Sequence, residues 1–272
     1  MKMKFTKMQG LGNDYIYLNC MERAPEDPSA LSVLLSRPHF GVGADGLVLI
    51  LPSDKADFRM RMFNADGSEG KMCGNASRCI GKYVYERGLT AKTDLTLETL
   101  SGIRTLRLDV RDGKVEQVSV GMGAARIKAV GAVLTAGGQD WRCTDVSVGN
   151  PHCVIFCRGV EGMDIETPGR LIEVHPNFPD RTNVEFAEVL DRSHIRMRVW
   201  ERGSGETLAC GTGACATAAA AAANGLCGED VTVLLRGGPL RIQLGEEIAM
   251  TGPAAFVFDG EFREEDLYAE NQ

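Results

Sequence analysis

Two similar stretches, Met72-Cys73-Gly74-Asn75-Ala76 and Ala209-Cys210-Gly211-Thr212-Gly213, lie 137 residues apart in this chain. The same offset, without a gap, places Arg61-Met62-Phe63 over Arg198-Val199-Trp200 and Gly12-Asn13 over Gly149-Asn150. Self-similarity at a fixed spacing indicates a repeated structural unit. The length of 272 residues also suits two domains better than one. We therefore predict a duplicated domain with a boundary near residue 117.

Each repeat is predicted to combine strands with one strong helix. Apolar stretches typical of strands occur at residues 46–50, 104–110 and 194–200. The helices are expected from about Ala76 to Arg87 and from about Gly213 to Ala223. The pattern indicates a mixed α/β (α+β) fold in which a strand-rich sheet wraps one helix in each half.

The ends of the two helices follow from glycine and alanine. Gly88 and Gly225 come just after the last helical turns, where glycine accepts a left-handed backbone. The second helix is almost entirely alanine and has no polar face, so we expect it to be buried.

Cys73 and Cys210 each precede the helix of their repeat. A helix N-terminus carries partial positive charge and unpaired N–H donors, which favour a thiolate and can hold a carboxylate. If the halves pack about a pseudo-two-fold axis, two equivalent thiols face one atom from opposite sides. This symmetry predicts inversion at a carbon, in which one thiolate removes a proton and the opposite thiol delivers one.

A structural role is the alternative for these cysteines, because free cysteine is a common core residue. The repeated position of the two, each followed by glycine, favours catalysis. The chain has nine cysteines, an odd number that does not suggest a disulfide framework, and no C-x-x-C pair indicates zinc. No metal site is expected.

Composition limits the partners. A net charge of −7 argues against nucleic acid, which usually requires a basic patch. No segment reaches the roughly 18 apolar residues of a membrane span, and the N-terminus lacks an apolar signal core. We expect a cytoplasmic protein with a small-molecule substrate and neither a nucleic-acid nor a membrane partner.

The chain resembles the diaminopimelate epimerase family, cofactor-independent enzymes that interconvert LL- and meso-diaminopimelate in lysine and peptidoglycan biosynthesis. The resemblance rests on ordered blocks that together cover nearly the whole chain. They are Gly12-Asn13-Asp14-Tyr15, residues 41–46, residues 64–69, Met72-Cys73-Gly74-Asn75, Arg78-Cys79, residues 149–154, residues 181–186, Trp200-Glu201-Arg202-Gly203, residues 206–215 and residues 250–254.

The resemblance implies a role for each matching position. Cys73 and Cys210 would be the acid/base thiols, and His152 and Glu201 would adjust their protonation. Gly74, Asn75, Gly211 and Thr212 would supply helix-end amides for the reacting carboxylate. The remaining substrate contacts would come from Asn13, Asn64, Asn150, Asn183, Glu201 and Arg202.

The family also implies an architecture. Each half would be a curved, mainly antiparallel sheet or barrel around a central helix, and the two domains would be related by a pseudo-two-fold axis. The first domain would comprise residues 1–117 with a C-terminal tail of about residues 257–272, and the second residues 118–256. The resemblance further implies a homodimer and no cofactor.

Without the resemblance, the residues give weaker support for these additional roles. His152 follows Asn150-Pro151, a turn signal, and is expected on a loop, where it could equally be only solvated. Glu201 and Arg202 end a strand and could form a solvated charge pair, although a guanidinium suits the distal carboxylate of a dicarboxylate substrate.

Two positions depart from the family pattern. Ala76 stands where glycine is usual, and Gly46 stands where some members carry a substrate-contacting glutamine, so Gly46 is assigned no side-chain role.

Three alternatives remain open from sequence. One is another two-thiol racemase of the same fold, of the proline or hydroxyproline type. Another is an isomerase of this fold that uses a carboxylate, and the third is a non-catalytic metabolite- or metal-binding protein with structural cysteines.

Overall fold

The computed structural model describes residues 2–263, and the chain divides into two compact units. Of the described residues, unit 1 contains 2–120 and 252–263, and unit 2 spans Gly121–Thr251. Of the tail predicted at residues 257–272, residues 264–272 lie outside the described residues.

Unit 1 contains eleven of the described strands and helices. In chain order they are β1 (Lys2–Gly10), β2 (Asn13–Asn19), α1 (Pro28–Ser36), β3 (Gly46–Leu51), β4 (Phe58–Asn64), β5 (Glu69–Gly70), α2 (Gly74–Glu86), β6 (Asp94–Thr99), β7 (Gly102–Arg111), β8 (Lys114–Gly121) and, after unit 2, β18 (Ala255–Arg263).

Unit 2 is built from the intervening elements. They are β9 (Arg126–Ala136), β10 (Gln139–Ser147), β11 (Pro151–Phe156), a short 3-10 helix (Val160–Gly162), α3 (Glu166–Glu173), β12 (Asn183–Val189), β13 (His194–Glu201), β14 (Gly205–Thr207), α4 (Gly211–Ala223), β15 (Asp230–Leu235), β16 (Gly238–Gln243) and β17 (Ala249–Gly252).

The two units share one pattern of strand pairing. In unit 1, β2 pairs antiparallel with β1 and parallel with β3, and β4 pairs antiparallel with β3 and parallel with β6. In unit 2, β11 pairs antiparallel with β10 and parallel with β12, and β13 pairs antiparallel with β12 and parallel with β15. The mixed, mainly antiparallel fold predicted from the sequence is confirmed in each half.

The predicted helices are found, each beginning two residues earlier than expected. α2 and α4 each have 13 residues and begin at Gly74 and Gly211, directly after the two cysteines. Gly88 and Gly225 have φ of 70° and 68°, as predicted for residues that end a helix.

Burial of the alanine-rich helix is also confirmed. Ten of the 13 residues of α4 are buried, and the helix lies against β9–β13, β15 and β16. Small alanine side chains allow strands to approach α4 from several directions, so it is the central helix of its unit.

The sequence analysis did not predict α1 and α3, which lie against other faces of the sheets. Leu31 and Leu35 of α1 share an apolar cluster with Leu47 and Leu49 of β3. In unit 2, Ile172 of α3 belongs to a second apolar cluster, together with Val184, Phe186 and Trp200. Because alternate residues of a strand point to opposite faces, the residues between these core positions face the other side of the sheet.

None of the helices in the described part of the chain has the length and apolar character that a membrane crossing requires.

The structure explains the absence of a side chain at Gly46. A Cβ built on Gly46 would lie 2.0 Å from the carbonyl oxygen of Phe63 and 3.0 Å from Cε1 of Tyr15. Because the nearest atom belongs to the backbone of β4, no rotamer change can relieve the contact. Any residue larger than glycine would separate β3 from β4.

We predict that Gly46→Ala lowers the free energy of unfolding by about 3 kcal/mol or more, because overpacking against backbone forces the strands apart. Urea denaturation measures this. Gly162→Ala is the matched control, since a Cβ there meets no atom within 4 Å. Equal stability of the two variants would contradict this account of Gly46.

Candidate active site

Cys73 is the N-cap residue of α2. Its backbone is extended (φ −134°, ψ 121°), and its Sγ accepts a hydrogen bond of 3.5 Å from the amide of Ala76. The thiol in turn donates to Asn13 Oδ1, also at 3.5 Å. The side chain is partly buried. This thiol therefore combines the electropositive end of a helix with access to solvent.

A chain of amides and one carboxylate fixes Asn13 beside this thiol. Asn13 Oδ1 accepts from Asn75 Nδ2 at 3.1 Å, and Asn13 Nδ2 donates to Asp45 Oδ2 at 2.7 Å. Asp45 also accepts the amide of Asp14. Burial raises the pKa of Asp45, while the bonds from Asn13 and Asp14 oppose the shift. Sequence reasoning assigned no role to Asp45, although it lies in a quoted family block.

Asn64, the last residue of β4, lies outside this hydrogen-bonded chain. Its Nδ2 donates to Ser68 Oγ at 2.9 Å, within the turn that leads to β5.

Cys210 occupies the same position at the start of α4. Its backbone is extended (φ −119°, ψ 110°), and its Sγ accepts from the amide of Gly213 at 3.3 Å. Sγ also lies 3.5 Å from Thr212 Oγ1. Unlike Cys73, this side chain is buried, with 7% of its surface exposed. The predicted helix-start position is thus found for both thiols.

Helix geometry gives the residues that follow the cysteines a common property. Gly74 and Asn75 begin α2, and Gly211 and Thr212 begin α4. Amides of a first helical turn have no partner within the helix, so they can bind an anion.

The structure contradicts the prediction that His152 lies on a loop. His152 is the second residue of β11 and is fully buried. The Asn150-Pro151 turn signal marks the start of the strand rather than a longer loop. His152 Nδ1 lies 2.6 Å from Glu185 Oε1, and Nε2 lies 3.0 Å from Asn150 Oδ1. Glu185 is a fully buried carboxylate that sequence reasoning did not single out.

Asn150 links this histidine to the start of α4. Its Nδ2 donates to Thr212 Oγ1 at 3.3 Å. Unit 2 therefore brings Cys210, Thr212, Asn150 and His152 together, as the resemblance implied, and adds Glu185 to them.

Asn183, Glu201 and Arg202 lie at the ends of neighbouring strands. Asn183 Nδ2 donates to the Pro151 carbonyl at 2.9 Å, and Asn183 Oδ1 accepts the Arg202 amide at 3.0 Å. Glu201 Oε1 accepts a hydrogen bond from Thr207. Arg202 is exposed, with Nη1 bonded to the Asp180 carbonyl at 3.0 Å. Its guanidinium is thus anchored at one nitrogen.

The environment of Cys210 reverses the expected effect of the helix end. Burial, followed by the carboxylates of Glu201 and Glu185, raises the pKa of Cys210 well above its usual value. Thr212 and the Gly213 amide oppose this shift but do not overcome it. The surroundings of Cys210 therefore favour the protonated thiol.

Within residues 2–263, no cluster of three or more His, Cys, Asp or Glu side chains is arranged to hold a metal ion.

Comparison with protein families gives a match over most of the chain. A family model described as diaminopimelate epimerase matches residues 5–128 and 144–257. The diaminopimelate epimerase of Acetivibrio thermocellus is 51% identical over 274 residues, covering 95% of this chain and 98% of that protein. The protein of the same name from Phocaeicola vulgatus is 53% identical over 273 residues, covering 95% and 98%.

A solved structure shows the same fold at greater distance. The hydroxyproline epimerase from Agrobacterium vitis, with bound trans-4-hydroxy-L-proline, has a TM-score of 0.74 and 18% sequence identity. The similarity covers 96% of this chain and 91% of that chain. At this identity the comparison concerns the fold alone.

We predict that iodoacetamide at about pH 7 modifies Cys73 at least about tenfold faster than Cys210. The thiolate is the reactive form, and the raised pKa and burial of Cys210 lower both its thiolate fraction and its accessibility. The Cys210 rate should rise as the pH is raised above about 9. Peptide mapping by mass spectrometry after limited alkylation measures both rates.

Cys79 is the internal control for this alkylation. It is fully buried, and burial raises its pKa to about 11, so it should stay unmodified while the protein is folded. Modification of Cys210 before Cys73, with Cys79 protected, would show that the described burial does not govern the reactivity of these thiols.

Proposed function

This chain belongs to the diaminopimelate epimerase family, and from that membership we propose that it interconverts LL- and meso-diaminopimelate with two thiols, Cys73 and Cys210. The family establishes the broader function: the chain is an isomerase of lysine biosynthesis that acts on a small molecule. The observation that carries the two-thiol proposal is a cysteine N-cap on the corresponding helix of each repeat.

Each turnover uses one thiolate and one thiol. The thiolate forms an S–H bond as the α C–H bond breaks, and the electron pair passes to the α-carbon and its carboxylate. The other thiol then delivers its proton to the opposite face of the same carbon and becomes the thiolate. The substrate is inverted, no atom is gained or lost, and no oxidation state changes, so our proposal includes no cofactor.

We assign the resting proton to Cys210. Its burial and the nearby carboxylates favour the neutral thiol, whereas the Cys73 sulfur is more accessible and accepts the amide of Ala76, a contact that favours a thiolate. Cys73 would then remove the proton in one direction of the reaction. In the reverse direction the roles exchange.

The helix ends supply the proposed site for the reacting carboxylate. The first amides of α2 and α4, at Gly74, Asn75, Gly211 and Thr212, carry partial positive charge. Negative charge that develops during proton removal would be stabilised there. His152 and Glu201 would adjust the protonation of the thiols, and the carboxylate of Glu201 already contributes to the raised pKa of Cys210.

Side chains for the rest of the substrate complete the proposal. They are Asn13, Asn64, Asn150, Asn183, Glu201 and Arg202. Arg202 is the candidate for the distal carboxylate, because an exposed guanidinium can form two parallel hydrogen bonds to it. Glu201 carries the opposite charge, which suits the distal amino group.

A proline- or hydroxyproline-type racemase was the alternative within this fold. The structurally similar hydroxyproline epimerase shares 18% sequence identity with this chain, whereas relatives named diaminopimelate epimerase share 51–53%. The substrate assignment therefore follows the closer relatives.

We extend the proposal to the setting of the enzyme. A cytoplasmic location is supported by nine free cysteines, which suit a reducing compartment. We propose that the enzyme binds its small-molecule substrate and neither nucleic acid nor a membrane. The net charge of −7 supports the absence of a nucleic-acid partner. A homodimer is proposed from family resemblance, and two domains built on unit 1 and unit 2 are proposed from the repeat.

We predict that Cys73→Ser and Cys210→Ser each lower epimerase turnover by on the order of a thousandfold or more, since a hydroxyl is a far weaker acid than a thiol. The assay is LL-diaminopimelate in deuterated water without pyridoxal phosphate, with deuterium at one α-carbon of the meso product as the readout.

Cys157→Ser is the control for this assay, because Cys157 is partly buried in unit 2 and contacts the apolar cluster of Trp200 rather than α4. It should retain wild-type turnover. Full epimerase turnover by Cys210→Ser would defeat the two-thiol proposal.

We predict that Arg202→Lys raises the KM for diaminopimelate about tenfold with little change in kcat, because an ammonium cannot form the bidentate contact. Arg170→Lys is the control for surface charge, since Arg170 is an exposed arginine of unit 2 that forms an ion pair with Glu166 in its own helix and lies over the Trp200 ring. Steady-state kinetics of both variants decide between substrate binding and general surface charge; an unchanged KM in Arg202→Lys would remove it from the site.

A further inference from the structure

The surroundings of the two thiols differ at three positions that the repeat aligns. These are Tyr15, Val48 and Ala76 in unit 1, and His152, Glu185 and Gly213 in unit 2, each 137 residues later. The scaffold is duplicated, but the ionisable pair is present only in unit 2. This difference calls for a functional reason, since an apolar residue occupies the same strand position in the other copy.

Strand geometry directs Glu185 toward α4. Its neighbours in β12, Val184 and Phe186, belong to the apolar cluster that includes Ile172 of α3. Because side chains alternate along a strand, Glu185 points to the opposite face. In the parallel pairing of β11 with β12, Val154 is opposite Glu185, so His152 lies two residues away on the same face.

A continuous series of polar contacts leads from Glu185 to the Cys210 thiol. Glu185 Oε1 lies 2.6 Å from His152 Nδ1, and His152 Nε2 lies 3.0 Å from Asn150 Oδ1. Asn150 Nδ2 donates to Thr212 Oγ1, which lies 3.5 Å from Cys210 Sγ. Both ring nitrogens of His152 thus lie within hydrogen-bond distance of an oxygen atom.

Gly213 makes room for the carboxylate at the helix start. A Cβ at this position would lie 2.8 Å from Glu185 Oε1 and 3.2 Å from Cys210 Sγ. The carboxylate oxygen and the sulfur therefore flank the same small space. The aligned residue of unit 1 is Ala76, whose methyl group is compatible with a repeat that has Val48 in place of Glu185.

The burial of the Glu185 carboxylate is energetically unfavourable, so its presence calls for a functional reason. The residue is fully buried, and its second oxygen, Oε2, has no hydrogen-bond partner among the residues that the structure describes. A buried, incompletely paired carboxylate destabilises a folded protein. Such groups are retained where they contribute to catalysis.

We propose that Glu185 is a positioning residue of the epimerase reaction, which holds His152 so that Asn150 and Thr212 are oriented toward the Cys210 thiol. The inference rests on the proposed function and adds a residue to it. Glu185 acts through His152 and does not touch the substrate.

The test is a double-mutant cycle of Glu185→Gln and His152→Gln. Glutamine at 185 keeps the size and one acceptor oxygen but removes the charge. We expect E185Q to lower kcat on the order of 10- to 100-fold, within the range of a positioned acid–base group, with KM changed less than about twofold. In the H152Q background the same substitution should lower kcat less than about twofold, because the residue through which it acts is absent.

Glu86→Gln is the matched control. Glu86 is also a largely buried carboxylate, with 7% of its side chain exposed and an ion pair to Lys82 at 2.7 Å, but it lies at the far end of α2. E86Q should leave kcat unchanged within about twofold. Circular dichroism and thermal melting establish that each variant is folded.

If E185Q does not accumulate as folded protein, Glu185→Asp takes its place, because aspartate keeps the charge but is one methylene too short to reach His152 Nδ1 at the present distance. The same loss of kcat is expected, and again it should vanish in the H152Q background. A loss of equal size with and without His152, or normal kinetics of a folded E185Q, overturns the role of Glu185.

The wild-type enzyme in the same assay separates this inference from the proposed function. Failure of the wild type to convert LL-diaminopimelate overturns both. Normal wild-type turnover together with an insensitive Glu185 overturns the positioning role alone.

Discussion

The N-terminus of a buried helix, capped by a cysteine, is the constraint on which each half of this protein depends. α2 and α4 are largely enclosed by their units, so their first amides cannot all be satisfied by water. Sulfur accepts one amide in each helix, at 3.5 Å from Ala76 and 3.3 Å from Gly213. The neighbouring amides at the helix start have no partner within the helix and can bind an anion. The same feature that begins the helix thus places a thiol beside amides that can bind an anion, and the strand order around it is the same in both units.

The two repeats share this helix start and strand order, but they differ in the charged residues around the thiol. Asn13 begins β2 and Asn150 directly precedes the corresponding strand β11, and each reaches the helix start of its own unit. Beyond them the units differ: Asn13 is held by Asp45, whereas Asn150 is held by His152 and, through it, by Glu185. One thiol is partly exposed among amides and the other is buried among carboxylates. Two equivalent positions in sequence have therefore become two chemically different acids.

The sequence predicted those parts of the fold that depend on local pattern. The two central helices, their glycine ends and the cysteine starts follow from residues close together in the chain, and the repeat follows from comparing such local stretches at a fixed offset. The position of His152 did not, because Asn150-Pro151 reads as a turn while its burial arises from pairing with β12, about thirty residues away. The role of Glu185 was not predicted for a similar reason. A carboxylate between Val184 and Phe186 suggests a solvent-facing residue, and only the position of α4 buries it. The helix-end effect on the thiols was also incomplete, since for Cys210 burial and two carboxylates outweigh it.

Unequal thiols have a definite consequence for a reversible inversion. The equilibrium between two stereoisomers is a property of the substrate and product, so no arrangement of Glu185, His152 and Glu201 can alter it. Those groups can change the rate and set which protonation form of the free enzyme predominates. A proton resting on Cys210 favours the form that binds the isomer whose α-hydrogen faces Cys73, because the two thiols exchange roles at every turnover. In the two-thiol mechanism that we propose, the difference between the thiols would therefore govern how readily each isomer saturates the enzyme. Two identical thiols would share the proton equally and leave half of the free enzyme in the form that cannot act on a given isomer.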